Sequence, residues 1–292
     1  MLTELETDQS GASPFRFRGI IEGFYGRPWA WTERHSTLDF MAREGLNTYL
    51  YAPKNEPLHR NRWREPYLPE DWARFARLHE HGARLGIDVV FGLSPLEFHY
   101  GDPDDLRVLL EKLHAARAVG YRSFCLLLDD MPDTLRHEDD RRRFGALADA
   151  QAWLLRRLLP DVPGDLWFVP TEYHGTGTSA YLTRLGEASP PRVRMFWTGP
   201  QTVSRTIGAS DLTGVNAALR RRVVLWDNYP VNDLDMRFRL HLGPYEGRAA
   251  DLARACDGVL AAGGLQPHAH RIPLATFAAF LRAPDAYDPD AQ

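Results

Sequence analysis

Cysteine is scarce in this chain of 292 residues, in which Cys125 and Cys256 are the only two. They lie far apart in the sequence and in apolar surroundings, so we expect two buried free thiols and neither a disulfide nor a metal site. Such sparse use of cysteine is typical of proteins in a reducing compartment. We therefore expect a cytoplasmic location.

Long apolar runs and long runs of one charge are missing too. No stretch approaches the roughly 18 apolar residues of a membrane-spanning helix, and the acidic N-terminus has neither the positive region nor the apolar core of a signal peptide. The formal net charge of −4 comes from 35 Lys and Arg residues and 39 Asp and Glu residues, which are spread along the chain. We predict neither a nucleic-acid nor a membrane partner, and the oligomeric state stays open.

Motifs for cofactors and metals are also absent from the sequence. It contains no Walker loop, no GxGxxG after a predicted strand and no GxSxG elbow. His79 and His81 are two residues apart, which places them on different faces of a helix, and His268 and His270 have no obvious further ligands. We predict no cofactor and no metal, and we set aside nucleotide-dependent and serine-hydrolase chemistry.

What the chain does contain is a regular alternation of short apolar runs with longer amphipathic stretches. Most of the runs are continuously apolar, as expected of parallel strands that are buried on both faces. Eight are predicted as strands, at 19–26, 48–53, 89–95, 124–130, 166–173, 193–199, 223–228 and 258–264. The pattern predicts a single (β/α)8 TIM barrel over residues 16–285, between a flexible N-terminal segment (1–15) and a C-terminal tail (286–292). A doubly wound open sheet is the alternative.

The stretches between the strands carry helix signals. Asp104 is predicted to cap a helix that Gly120 ends, and the charged run at 138–143 is predicted as the solvated start of another helix. The last helix has one apolar face, made by Leu274, Phe277, Ala278 and Leu281.

Polar and aromatic side chains collect where the predicted strands end, which is where the active site of such a barrel lies. They are Gly23, Phe24, Tyr25, Gly26, Lys54, Asn55, Asp129, Asp130, Glu172, Tyr173, Trp197, Thr198, Trp226, Asp227 and Asn228, with Asn232 and Asp233 in the loop that follows. Aromatic faces stack on the C–H faces of a sugar, and amides and carboxylates bind its hydroxyls. A sugar is therefore the predicted substrate class.

Seven blocks make the prediction more specific, because in this order they closely resemble the catalytic domain of glycoside hydrolase family 84. The blocks are IIEGFYGRPW, LNTYLYAPK, RSFCLLLDD, PTEYHGT, WTGP, WDNYPVND and LGPYEGR. The resemblance implies a (β/α)8 barrel that removes terminal β-linked N-acetylglucosamine with retention of configuration. In this family the 2-acetamido oxygen of the substrate forms an oxazoline, and the protein supplies no nucleophile.

The resemblance also implies a role for each matching residue. Asp129 would orient and polarise the acetamide, and Asp130 would be the general acid/base. The further implied contacts are Gly23 and Lys54 with sugar hydroxyls near O3, Tyr173 with the acetamide or the oxazoline, Trp226 as a wall of the acetamide pocket, Asn228 with the paired aspartates or the N-acetyl group, Asp233 with the O4 and O6 hydroxyls, and Tyr25 in the pocket floor.

The adjacency of Asp129 and Asp130 raises a geometric question, because neighbouring residues of a strand point to opposite faces. We expect the strand to end at this pair, with Pro132 helping to turn the chain, so that both carboxyls enter one pocket. Their like charges should separate the two pKa values and leave one acid protonated near neutral pH.

One position departs from the family pattern, and two alternative functions stay open. The family usually has an asparagine after the eighth strand, where this chain has Ala262. A barrel that binds N-acetylhexosamine with little turnover is one alternative, and a retaining glycosidase with Glu172 as its nucleophile is the other. The expected partner is a glycan or glycoprotein that bears N-acetylglucosamine, and the chain is expected to be a catalytic domain without accessory regions.

Overall fold

The computed structural model describes residues 13–291. Most of the predicted N-terminal segment, residues 1–12, and Gln292 of the predicted tail lie outside the described residues. Among the described residues, the side chain of Ser13 donates a hydrogen bond to the backbone oxygen of Leu281. None of the helices in this part of the chain is long and apolar enough to cross a membrane.

Eight parallel strands form a closed barrel in which each strand pairs with its neighbours in the sequence and the eighth pairs with the first. They are β1 (Phe17–Glu22), β2 (Thr48–Tyr51), β3 (Asp88–Leu93), β4 (Phe124–Leu127), β5 (Leu166–Val169), β6 (Arg194–Trp197), β7 (Val224–Asp227) and β8 (Gly258–Ala262). Closure between β1 and β8 confirms the predicted TIM barrel and rules out the open sheet.

The helices surround the barrel and follow the strands as the alternation predicts. Within residues 13–291 they are α1 (Trp31–Arg43), α2 (Pro69–Arg84), α3 (Pro103–Ala118), α4 (Glu138–Phe144), α5 (Leu147–Leu158), α6 (Ala180–Ala188), α7 (Thr213–Leu219), α8 (Leu252–Ala255) and α9 (Arg271–Arg282). The apolar face predicted for the last helix is buried in α9.

The core explains why the strands are continuously apolar. Every residue of β2, β4, β5, β7 and β8 is buried, because side chains on one face fill the barrel and those on the other pack under the helices. Both cysteines are buried and free, as predicted.

One local prediction is wrong and a second holds only in part. The cap of α3 is Asp102, whose side chain accepts the amide hydrogen of Asp104, because Pro103 occupies the first helical position, where its missing N–H costs nothing. The charged run at 138–143 does form α4, but Asp140 within it is buried and accepts a hydrogen bond from the backbone N–H of Tyr100. A charge run viewed only in sequence does not reveal that one member faces inward.

Candidate active site

The carboxyl ends of the strands surround a pocket of about 360 Å³, which lies in the size range of small-ligand sites. All nine residues predicted for the site line it: Gly23, Tyr25, Lys54, Asp129, Asp130, Tyr173, Trp226, Asn228 and Asp233. They come from the ends of β1, β2, β4, β5 and β7 and from the loop after β7. Positions far apart in sequence meet here because every strand of a parallel barrel ends at the same rim.

The turn after β4 places two adjacent carboxyls in this pocket. Sheet pairing continues past the strand to the amide of Leu128, which donates to the oxygen of Val169. Asp130 then adopts a left-handed backbone conformation, with φ of 53°, which short polar residues tolerate better than most. The alternation of side chains ends at this residue, so Asp129 and Asp130 both line the pocket. The strand was predicted to reach this pair with Pro132 helping to turn the chain; β4 instead ends at Leu127, and the left-handed turn is at Asp130 itself.

Asp129 is buried, and only one of its two carboxyl oxygens accepts a hydrogen bond from the described residues. The ammonium of Lys54 donates a hydrogen bond to its Oδ2. Its Oδ1 is shielded from solvent and has no hydrogen-bond partner among the described residues. A buried carboxylate oxygen without a partner is costly, and it is suited to accept an N–H from a ligand in the pocket.

Asp130 has hydrogen-bond donors at both carboxyl oxygens. The hydroxyl of Tyr25 donates to Oδ2 at 2.8 Å and the hydroxyl of Tyr173 donates to Oδ1 at 2.9 Å. The Nζ of Lys54 lies 3.7 Å from Oδ2. Behind the carboxyl, Arg60 donates to the backbone oxygen of Asp130 at 3.2 Å.

These neighbours decide the charge of Asp130. Burial raises the pKa of its carboxyl, but the positive charge of Lys54, the two tyrosine hydrogen bonds and the charge of Arg60 together lower the pKa below its usual value. The sequence predicted that repulsion would keep one of the two acids protonated near neutral pH. For Asp130 the direction is the opposite, because the charges of Lys54 and Arg60 and the hydrogen bonds from the two tyrosines outweigh its burial.

Trp226 forms one wall of the pocket and leaves no room for a side chain at position 23. A Cβ built on Gly23 would lie 2.5 Å from Cζ2 of the indole ring. On the other side, the indole Nε1 donates to Oδ1 of Asn228 at 2.9 Å, and the amide of Asn228 donates to the oxygen of Thr202 at 2.7 Å. Asn228 thus anchors the tryptophan. Neither of these hydrogen bonds goes to the aspartates, and the predicted contact with the aspartates or the N-acetyl group stays a prediction.

Asp233 reaches the pocket from the loop after β7. Its Oδ2 accepts the backbone N–H of Tyr25 at 2.7 Å, which ties this loop to the end of β1. Burial raises the pKa of Asp233 although this hydrogen bond lowers it. Its predicted contacts with the O4 and O6 hydroxyls, like the hydroxyl contacts of Lys54, stay predictions.

The remaining pocket residues were not all predicted from the sequence. The missed residues that line the pocket are Val169, Thr202, Val203, Val231, Leu234, Asp235 and Met236. Four of them lie in the loop after β7, where a run of mixed residues gives no periodic signal. By contrast, Glu172 and Trp197 are not among the described residues that line the pocket, and Trp197 is a fully buried core residue. Ala262 is buried in β8 opposite Ile21 of β1 and does not line the pocket either.

One group of side chains outside the pocket has the types that bind metals. His99, Asp139 and Asp140 have ligand atoms within 4.8 Å of one another, and they are the one such group in the described part of the chain. The Nε2 of His99 already pairs with Asp139 at 2.8 Å. This group shares no residue with the pocket described above. It is therefore a separate feature of the structure.

Comparisons with known proteins agree with the fold. Protein O-GlcNAcase from Rattus norvegicus and from Mus musculus are each 34% identical to this chain over 274 residues, which is 91% of this chain. The chain spans 30% of the length of these curated relatives. The rest of each relative lies outside this similarity.

Two solved structures show the same architecture. One is a mutant of the O-GlcNAc hydrolase from Thermobaculum terrenum, with a TM-score of 0.93 and 39% identity over 95% of this chain and 61% of that chain. The other is CpGH84B, with a TM-score of 0.86 and 26% identity over 96% of this chain and 50% of that chain. The model of the beta-N-acetylglucosaminidase family matches residues 18–292. With the paired aspartates at the end of β4 and a match over nearly its whole length, the chain belongs to the β-N-acetylglucosaminidase family, glycoside hydrolase family 84.

Proposed function

We propose that this chain is a retaining exo-β-N-acetylglucosaminidase that acts through an oxazoline intermediate. The observation that carries the proposal is the unequal environment of two adjacent carboxyls. Asp129 keeps one buried oxygen without a partner, and Asp130 has hydrogen-bonded oxygens at the pocket surface. Substrate assistance requires two carboxyls with different tasks, one at the acetamide and one at the glycosidic oxygen.

In the first step the acetamide oxygen attacks the anomeric carbon, and the bond from that carbon to the leaving oxygen breaks. Asp129 accepts the acetamide N–H through its free Oδ1 and stabilises the positive charge that develops there, while Asp130 gives its proton to the leaving oxygen. In the second step Asp130 removes a proton from water, which opens the oxazoline. Two displacements at the same carbon give net retention.

Asp130 must be protonated for the first step, although the charges and hydrogen bonds around it lower its pKa. A bound sugar displaces water from the pocket and increases the burial of the carboxyl, and burial is the largest influence that raises its pKa. We propose that substrate binding brings Asp130 into its acidic form. Lys54 stays paired with Oδ2 of Asp129, which leaves the free Oδ1 to accept the N–H.

Hydrolysis of 4-nitrophenyl β-N-acetylglucosaminide tests the activity. We expect release of 4-nitrophenol that Asp129→Ala slows strongly, whereas saturable binding without release would support the binding-protein alternative. Substrates with one, two or three fluorines on the acetyl group test the mechanism. Their rates should fall as fluorine weakens the acetamide nucleophile, and a constant rate across the series would reject substrate assistance.

The alternative with Glu172 as a nucleophile has less support, because this residue does not line the pocket in the described structure. Covalent trapping of Glu172 by a fluorosugar would reverse this judgement. We propose a glycan or glycoprotein that bears terminal N-acetylglucosamine as the substrate, and turnover of a glycopeptide panel against an oligosaccharide panel would distinguish the two. A cytoplasmic location stays a prediction.

A further inference from the structure

Arg60 is a buried cation that the proposed mechanism does not use. It lies between β2 and α2, and only 8% of its surface is exposed. Within residues 13–291 it forms no ion pair with a carboxylate; its side-chain donors go to the hydroxyl of Ser94 at 2.8 Å and the backbone oxygen of Asp130 at 3.2 Å. Buried guanidinium groups are normally paired with an acid, so this arrangement needs a reason.

The contact with Asp130 falls on a strained residue. Asp130 is one of four non-glycine residues with positive φ in the described chain, and such a conformation persists only where the surroundings hold it. The hydrogen bond from Arg60 to the carbonyl of Asp130 is a charge-assisted bond to the backbone at this turn. It therefore helps to hold the conformation that brings the carboxyl of Asp130 into the pocket.

Arg60 donates to the backbone carbonyl of Asp130 and not to its side-chain carboxylate, and this difference has a consequence for the charge of the carboxyl. A bidentate pair between an arginine and the carboxylate would hold Asp130 in its ionised form and occupy both oxygens. Instead, Tyr25 and Tyr173 contact those oxygens through neutral hydroxyls, which favour the ionised form but add no positive charge at the oxygens. Arg60 thus contributes geometry and a nearby positive charge, and it does not itself occupy either carboxyl oxygen of Asp130.

We propose that Arg60 is a positioning residue for Asp130, which holds the left-handed turn after β4 and places a fixed positive charge behind the carboxyl. The role of Asp130 as acid/base rests on the proposed function. The titratable or charged groups that face Asp130 are Lys54, Asp129, Tyr25, Tyr173, Asp233 and Arg60 itself. Arg60 contacts the main chain of Asp130, while hydrogen bonds from the tyrosines and the charge of Lys54 act on its carboxyl.

The kinetic test compares Arg60→Met and Arg60→Lys with Arg64→Met. Arg64 is a matched control, because it lies on the same loop and pairs with Asp105 at 2.6 Å, and it does not line the pocket. Arg60→Met should lose about tenfold more kcat/KM on an alkyl β-N-acetylglucosaminide than on the 4-nitrophenyl glycoside, since only the alkyl leaving group needs a well-placed acid. Arg60→Lys should recover part of this difference.

Equal losses on the two substrates would mean a merely structural role and would overturn the proposal. The proposal would also be overturned if Arg64→Met, a change in the same loop, lost more activity on the alkyl than on the 4-nitrophenyl glycoside to the same extent as Arg60→Met. Thermal unfolding of all three variants shows how far general destabilisation contributes, because a change of fold lowers both activities together.

A second readout does not depend on activity. The titration of the Asp130 carboxyl can be followed by NMR in protein with 13C-labelled aspartate, with the signal assigned by Asp130→Asn. Loss of the nearby guanidinium charge in Arg60→Met should raise the pKa of Asp130, and Arg64→Met should leave it in place. An unchanged titration in Arg60→Met would overturn the proposal, whether or not the chain is active. Absence of N-acetylglucosaminide hydrolysis would by itself reject only the proposed function.

Discussion

Gly23→Ala should damage the pocket through one added methyl group. The new Cβ would lie 2.5 Å and 2.6 Å from two ring carbons of Trp226 and 2.8 Å from a methyl of Ile21. Ordinary contacts of this kind begin at 3.4 Å, so the indole ring must move by about 0.9 Å from the 2.5 Å contact. Because Trp226 is also anchored to Asn228, the ring cannot move without straining that bond or entering the pocket.

The expected loss is large for so small a change. Overpacking of a buried contact costs about 1–3 kcal/mol of stability, and misplacement of a substrate-positioning group by about 1 Å can cost on the order of 100-fold in rate. We expect kcat/KM for the 4-nitrophenyl glycoside to fall by about that factor. Steady-state kinetics and urea unfolding measure the two effects separately.

Gly208→Ala is the matched control, since its new Cβ would meet its nearest neighbour at an ordinary 3.6 Å. This variant should keep wild-type kinetics and stability. If Gly23→Ala kept kcat/KM within twofold of the wild type, the idea that Trp226 is a rigid wall of the pocket would be refuted.

Three further predictions follow from the contacts of the site and its support. Asp130→Ala should slow alkyl glycosides far more than activated aryl glycosides, whereas Asp129→Ala should slow both, because it impairs attack by the acetamide itself. Tyr25→Phe removes a hydrogen bond that lowers the pKa of Asp130. Since activity on alkyl glycosides falls as pH rises through that pKa, this limb of the kcat/KM profile should move to higher pH. Arg248→Met should destabilise the fold by about 3–5 kcal/mol in urea unfolding, because it leaves the buried carboxylate of Asp227 without its ion pair.

Each of these has an outcome that would contradict it. Equal effects of the two aspartate substitutions on both substrates would mean that the roles are wrongly divided. A pH profile unchanged in Tyr25→Phe would show that this hydroxyl does not influence the acid. Arg107→Met is the control for stability, because it removes a solvent-exposed ion pair with Glu111 and should change the free energy of unfolding little. An equal loss of stability in Arg248→Met and Arg107→Met would refute the importance of burial.

The placement of the pocket residues could be predicted well from the sequence, for a geometric reason. Gly23, Lys54, Asp129, Tyr173 and Trp226 each stand at or just after an apolar run, and a parallel barrel brings the ends of all its strands to one rim. Fold class and rim position therefore followed from the order of the runs. The resemblance to glycoside hydrolase family 84 added the division of roles, which no single residue reveals.

Side-chain partners could not be predicted in the same way. Arg60 follows no strand directly and looks like an ordinary loop arginine, and the indication of its role is a hydrogen bond to a backbone oxygen 70 positions away. Asn228 was predicted to contact the aspartates or the N-acetyl group, and nothing in the sequence indicated that its amide joins Trp226 to Thr202. Such pairings depend on loop conformation, which carries no periodic pattern in the sequence.

The sequence by itself determined the barrel, the rim and the presence of two adjacent aspartates, because hydrophobic periodicity and chain order are local properties. Only the tertiary structure decided where the two carboxyls lie and which charges and hydrogen-bond donors surround them. The left-handed turn at Asp130 brings both carboxyls into one pocket, and Lys54, Tyr25, Tyr173 and Arg60 converge on it from three other segments. A pKa is the sum of such distant charges, donors and burial, so the sign of its shift in Asp130 is a property of the folded chain.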